Sequence, residues 1–205
     1  LVDKGIQVWT PNTTREFLDQ QGLQHLPVGD MGNSYGFAMR HFGAEYVNCL
    51  ADYEGKGVDQ LRNLIDGLKN DPNGRRHMIT LWNPAAVRQC PLPPCLWSYQ
   101  FYVDRGLLSC MATQRSSDYA VAGGWNIATI ALFTMLLAKM LGMVPHRITW
   151  NVGDLHIYED HVQGFKEQTQ REFREFPTLN IKTKKDITDY EFEDLELLGY
   201  NPHPN

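Results

Sequence analysis

Leu92-Pro93-Pro94-Cys95 is the stretch of this chain with the most evident chemical potential. Two prolines ahead of a cysteine fix the backbone and remove two amide donors, which holds the thiol at a rigid turn. A lone cysteine after a loop is more often a buried structural residue. What raises Cys95 above that is Gln114-Arg115-Ser116-Ser117-Asp118, at the end of a strand expected to lie beside it. An arginine next to a cysteine favours the thiolate and binds an anion. Asp118 and Asn126 stand eight residues apart around the loop that follows. An asparagine side chain donates to a carbonyl and accepts an N–H at once. That pair of contacts matches the O4 and N3–H edge of a uracil.

A metal reading of the same residue types fails. Cys49, Cys90, Cys95 and Cys110 are too few and too irregular for a disulfide framework. The Cys90–Cys95 gap is no CxxC, and no Cys/His set has zinc spacing. His156 and His161 are five residues apart, which does not put two ligands on one helical face.

These residues need a scaffold, and its elements can be read along the chain. Thr13-Thr14-Arg15-Glu16 caps a short helix running through Phe17 and Leu18. Val58–Leu68 has apolar residues at 58, 61, 64, 65 and 68, a helical face, and Asp71-Pro72-Asn73-Gly74 breaks it. His77–Trp82 and Ser98–Val103 read as strands, with Arg105-Gly106 turning into a third, Leu107–Thr113. An irregular loop, Ser116–Trp125, precedes a helix over Ile127–Met143 that is apolar enough to be buried. Ile148–Val152 follows as a strand and Leu155–Thr169 as a helix. The expectation is one α+β domain over 1–205, with strands in sequence and helices packed on one face.

Composition sets the outer limits. The 205 residues are 42% hydrophobic and 21% charged, with a formal charge of −5 from 19 basic and 24 acidic side chains. That suits a folded chain and argues against duplex nucleic acid as a partner, which asks for excess Lys and Arg. The run Ile127–Met143 falls short of a bilayer span, so no membrane partner is expected. The first residues carry no apolar signal region, and a cytoplasmic, reducing compartment is the default expectation.

At this point the chain resembles a family: the thymidylate synthases and their pyrimidine nucleotide hydroxymethylase relatives. The resemblance runs through Asp3-Lys4-Gly5-Ile6 with Trp9, Arg15–Asp19, Tyr35-Gly36-Phe37 and Arg40–Tyr46. It continues through Gly57–Leu61, Arg75-Arg76, Trp82-Asn83-Pro84, Leu92–Cys95, Gln100–Val103 and Gln114-Arg115-Ser116 with Asp118. It ends on Asn126-Ile127-Ala128, Gly153-Asp154, His156-Ile157-Tyr158 and Gly199–Pro204. Their order and spacing carry the match.

The resemblance implies a twisted, mostly antiparallel sheet with helices on one face, the other face pairing in a homodimer. It implies that Cys95 adds to C6 of dUMP, and that C5 then takes the one-carbon unit of the co-substrate 5,10-methylenetetrahydrofolate to give dTMP. Arg115 and Ser116, with Gln114, would hold the nucleotide, Arg115 and Ser116 at its 5′-phosphate. Arg75 and Arg76 would reach the phosphate of the partner subunit. His156 and Tyr158 would bond the sugar 3′-hydroxyl, and Asn126 would read uracil. Tyr35 would serve the proton relay. Trp9 and Asp118 would lie toward the folate. Asp154 reads as structural, an N-cap. No metal is implied. Family segments carrying an arginine loop and a glutamate would lie before Leu1, and folate-closing residues after Asn205.

The sequence departs from the family at several points. Leu96 stands where a histidine usually follows the nucleophile, and it is followed by Trp97. Asp118–Trp125 replaces a stretch ending in Pro-Phe, with Ala122 for a folate-facing glycine, and Trp150-Asn151-Val152-Gly153 replaces His-Thr-Leu-Gly. Ala38 and the Trp-Asn-Val-Gly run resemble a phage deoxycytidylate hydroxymethylase. Three readings follow: a thymidylate synthase, a dUMP 5-hydroxymethylase that ends with water in place of hydride, and a catalytically silent homologue binding nucleotide or RNA.

Overall fold

A computed structural model describes residues 5–204. The expected resemblance segment Asp3-Lys4 therefore lies outside the described residues. In chain order the helices are α1 (Arg15–Gln20), α2 (Tyr35–Arg40), α3 (Gln60–Asn70), α4 (Gly123–Leu141) and α5 (Val162–Thr169). The strands are β1 (Met78–Thr80), β2 (Leu96–Asp104), β3 (Leu107–Asp118), β4 (Val144–His156), β5 (Thr178–Ile181) and β6 (Leu195–Leu198).

Local chemistry explains the boundaries. Thr14, not Thr13, caps α1, its Oγ1 accepting from Phe17 N at 3.2 Å. Asp59 caps α3 by accepting from Arg62 N at 2.9 Å, and Asp71-Pro72 ends it. The β2–β3 turn is the two-residue kind, with Arg105 at φ 50° and Gly106 at φ 80°, conformations whose twist matches the flanking strands. Gly142, at φ 67°, closes α4, its N–H reaching the carbonyls of Ala138 and Lys139.

The main sheet has the order β1-β2-β3-β4. The first two pairings are antiparallel, as expected, while β3 and β4 run parallel. A parallel neighbour needs a long crossover, and α4 supplies it. Ile79, Tyr99, Phe101, Val103, Leu108, Cys110 and Ala112 form the buried face, packed with Leu64, Ile65 and Leu68 of α3 and Ile130, Leu137 and Ala138 of α4. On the opposite face Met78, Tyr102 and Met111 are exposed.

Three expectations need correction. β3 runs on to Asp118 and α4 starts at Gly123, so the expected loop 116–125 shrinks to a turn at 119–122. The polar run Gln114–Asp118 lacks an apolar alternation but is held in the sheet by β4 along its length, from Gln114↔Val152 to Asp118↔His156. The helix expected over 155–169 starts only at Val162, because β4 extends through His156. Asp154 thereby sits in β4 instead of capping a helix. Finally, α4 is less buried than its composition suggested: of its nineteen residues, Gly123, Ile130, Thr134, Leu137 and Ala138 are the buried ones. By length and composition alone it is the one described helix that would cross a membrane.

Candidate active site

The site is built where β2 begins. Leu92-Pro93-Pro94 brings the chain to Cys95, and a bulge between Leu96 and Ser98 opens the β2–β3 ladder just beyond it. Bulges of this kind re-aim side chains at strand ends. Cys95 O accepts from Arg115 N at 2.8 Å, which fixes its backbone to β3. The Arg115 guanidinium then wraps the same turn. Its Nε donates to Pro94 O at 3.0 Å and Nη2 to Pro93 O at 3.1 Å, leaving Nη2 3.7 Å from Cys95 Sγ. The guanidinium also lies 5.9 Å from the Trp82 ring centroid. The two prolines have no N–H to give, but their carbonyls are what hold the arginine.

Tyr35, at the start of α2, closes the other side. Its hydroxyl oxygen accepts from Cys95 N at 2.9 Å. Burial, chiefly, pushes the phenol above its ordinary range, with the charge of Cys95 adding to the effect. Tyr35 is therefore a neutral O–H at physiological pH, able to donate while it accepts.

The far end of β3 and its neighbours hold the remaining candidates. Gln114 is buried, with Nε2 donating to Ser116 O at 2.8 Å while Oε1 accepts from Trp150 Nε1 at 3.0 Å. Asn126, in the first turn of α4, makes one long hydrogen bond, Nδ2 to Ser117 Oγ at 3.4 Å. Its Oδ1 and second N–H are left for another partner. Asp118 pairs with His156 in the β3–β4 register, and its Oδ1 accepts weakly from Val121 N at 3.4 Å. His156 Nδ1 is buried with no hydrogen-bond partner, and Asp154 Oδ1 stands 3.5 Å away. The rings of His156 and Tyr158 meet edge-on at 5.1 Å, although Tyr158 lies past the end of β4.

The structure thus gathers Cys95, Tyr35 and Arg115 into one contact set. It places Gln114, Ser116, Asp118, Asn126, His156 and Tyr158 along the adjoining ends of β3, β4 and α4. It does not join Arg75, Arg76 or Trp9 to them: the two arginines are exposed on the turn between α3 and β1, and Trp9 is exposed ahead of α1. Sequence reasoning missed the parts played by Trp82 against Arg115 and by Trp150 against Gln114. Trp82 stood in a recognised motif without a role; the Trp150–Gln114 bond spans 36 residues and leaves no local signal. Among the described residues no group of three or more His, Cys, Asp or Glu converges as for a metal ion.

A thiol beside a fixed guanidinium, with a neutral phenol on its own amide at the opened end of a sheet, is an arrangement able to support nucleophilic chemistry on an α+β scaffold. Compared with known proteins, residues 1–205 match the family model described as thymidylate synthase, and the chain belongs to that family. It is 47% identical over 203 residues to a bifunctional dihydrofolate reductase-thymidylate synthase of Paramecium tetraurelia, covering 99% of this chain and 44% of the relative. It is 44% identical to a thymidylate synthase of Agaricus bisporus and 43% identical to one of Saccharomyces cerevisiae, each match covering all of this chain. The chain spans 72% and 70% of those two relatives, and less than half of the bifunctional one.

Proposed function

We propose that the protein transfers a one-carbon unit to C5 of dUMP, giving dTMP, with Cys95 as the covalent nucleophile. The observation that carries this reading is the Cys95 sulfur held 3.7 Å from an arginine whose other donors are locked on Pro93 and Pro94. Cys95 Sγ attacks C6 of the pyrimidine, forming an S–C bond and moving the C5–C6 electron pair toward C5 and the O4 carbonyl. Asn126 reads that edge, Oδ1 accepting from N3–H and Nδ2 donating to O4, where negative charge grows. Arg115 and Ser116, steadied by Gln114, hold the 5′-phosphate, and Arg75 and Arg76 reach it from a second copy of the chain. His156, whose Nδ1 is without a partner, and Tyr158 take the sugar hydroxyl. Tyr35 holds and moves a proton beside Cys95.

The donor set also suits a reduced folate. Asp118 keeps most of its acceptor capacity, the partner that pterin N–H groups need, and Trp9 offers an exposed ring. When bound, methylenetetrahydrofolate supplies the carbon and, in the synthase reaction, the hydride. The exposed sheet face carrying Met78, Tyr102 and Met111 is the surface that a homodimer covers in this reading. A cytoplasmic setting belongs to the same proposal and suits the free thiols at Cys49, Cys90, Cys95 and Cys110.

A second reading, dUMP 5-hydroxymethylation, draws on Ala38, on the Trp150-Asn151-Val152-Gly153 run and on the changed folate-side stretch Asp118–Trp125, where access of water to the transferred carbon would be set. Leu96, buried and apolar where the family usually has a histidine, speaks instead for a silent homologue. The deciding experiment incubates the complete protein with dUMP and methylenetetrahydrofolate, then follows the nucleotide by mass spectrometry and the folate by absorbance. The synthase reading expects dTMP with dihydrofolate. A hydroxymethyl product with tetrahydrofolate moves the assignment to the second reading. Tight nucleotide binding with neither product points to a silent homologue.

A further inference from the structure

Tyr119 occupies a junction that the roles above do not use. It is the first residue after β3, and it opens the turn that leads from Asp118 into α4. Its N–H donates to His156 O at 2.8 Å. Its ring stacks on Trp150 of β4, centroids 6.2 Å apart at 24°, and meets Phe165 of α5 edge-on at 5.7 Å and 76°. The Cδ2 edge of the ring crowds Gly123, where a Cβ would come within 2.6 Å of it. Three elements, β4, α5 and α4, therefore converge on one ring. The hydroxyl makes no hydrogen bond among the described residues, so the ring is what they grip. Trp150 has a separate anchor on the nucleotide side, its Nε1 donating to Gln114 Oε1 at 3.0 Å without the Tyr119 ring.

We propose that Tyr119 is the positioning residue of the folate side. The Trp150–Tyr119–Phe165 stack clamps the 118–122 turn against β4 and α5 and so sets the place of Asp118 and the access of water to the carbon being transferred. This inference rests on the reading of Asp118 given above. A ring removed from the stack frees the turn while leaving Cys95, Arg115 and Asn126 on their own supports. The expected signature is a split between the two substrates, which a general loss of structure would not produce.

The test compares Tyr119→Ala and Tyr119→Phe in the complete protein. Nucleotide affinity is measured with dUMP alone, and folate affinity with methylenetetrahydrofolate added to the nucleotide complex. Tyr119→Ala is expected to weaken folate binding about tenfold or more, the scale set by losing two ring contacts, with dUMP affinity changed less than about twofold. Where turnover is observed, its share of hydroxymethyl product rises. Tyr119→Phe keeps the ring and restores wild-type behaviour. The inference is overturned if Tyr119→Ala leaves folate affinity unchanged, if it weakens dUMP equally, or if Tyr119→Phe is as damaging as alanine. A wild-type protein that binds neither dUMP nor folate overturns the functional reading itself, and this inference with it. Wild-type binding of both, unaltered in Tyr119→Ala, overturns the inference alone.

Discussion

Gly153 of β4 leaves a side chain little room against Arg115, and replacing it with alanine tests how the sheet holds Cys95. A Cβ at Gly153 would stand 2.9 Å from Arg115 O, 3.6 Å from its carbonyl carbon and 3.8 Å from its Cα. All three are strand backbone, with no flexible tip to swing aside. Restoring ordinary contact distance requires β3 and β4 to part locally by roughly 0.5 Å. Arg115 carries that displacement to Cys95 by its 2.8 Å bond to Cys95 O and its two bonds to the proline carbonyls. Overpacking of this kind costs about 1–3 kcal/mol. For a chain of this size that lowers the melting temperature by roughly 2–4 °C per kcal/mol. Displacement of Cys95 by several tenths of an ångström is expected, under the proposed chemistry, to lower kcat by about 10- to 100-fold. Gly124→Ala is the control, because nothing lies within 4 Å of a Cβ there. It should be neutral or up to about 1 kcal/mol stabilising. The assay is steady-state kinetics with dUMP varied, beside thermal melts of both variants. A Gly153→Ala protein that melts lower yet keeps kcat within about twofold would refute the idea that strand spacing governs Cys95.

The remaining expectations address the base, the guanidinium and acid stability. Asn126→Asp replaces the amide donor with an acceptor, so preference should move toward deoxycytidylate by at least about tenfold; competition assays with both nucleotides would show unchanged selectivity if Asn126 does not read the base. Arg115→Lys keeps the charge but cannot span both proline carbonyls and the sulfur, and kcat should fall by about 100-fold with little change in melting. Asp194 is held at about pKa 2, first by the Glu191 N–H and then by Lys184 and Lys182. Its folded value lies below the ordinary carboxylate value of about 3.9, so its stabilisation is present above about pH 4 and is lost as pH falls through about 2. Asp186 moves in the same direction, chiefly through Arg62. Amide exchange in β5–β6 should therefore accelerate over that window, and Asp194→Asn should flatten the dependence.

The parts legible in the sequence were those coded by neighbours along the chain. The α3 face and its break at Asp71-Pro72, the Arg105-Gly106 turn, and the strands on either side of it depend on local patterns. β3 beyond Thr113 and the long β4 do not: Gln114–Asp118 is polar, and only pairing with β4 makes it a strand. The β5–β6 hairpin escaped for a similar reason, since thirteen residues separate its strands and Asp194, with Lys182 and Lys184, closes the gap. In the site, residue types were readable but their contacts were not. Tyr35 lies 60 residues from Cys95, and nothing local announces that its hydroxyl sits on the Cys95 amide.

In the proposed reaction Cys95 bonds to the pyrimidine, and mass spectrometry of the protein–nucleotide adduct reads that bond itself. With 5-fluoro-deoxyuridylate and methylenetetrahydrofolate, the fluorine at C5 cannot leave as a proton does, so an adduct that forms is trapped. Peptide mapping should place the nucleotide and the folate carbon on the fragment holding Cys95, and Cys95→Ala should abolish the adduct while nucleotide binding persists. Cys49 is exposed, whereas Cys90 and Cys110 are buried, with thiols pushed up to about 11 and about 12 by burial. An adduct mapped to Cys49, or one surviving in Cys95→Ala, would show that Cys95 is not the residue that bonds to the base.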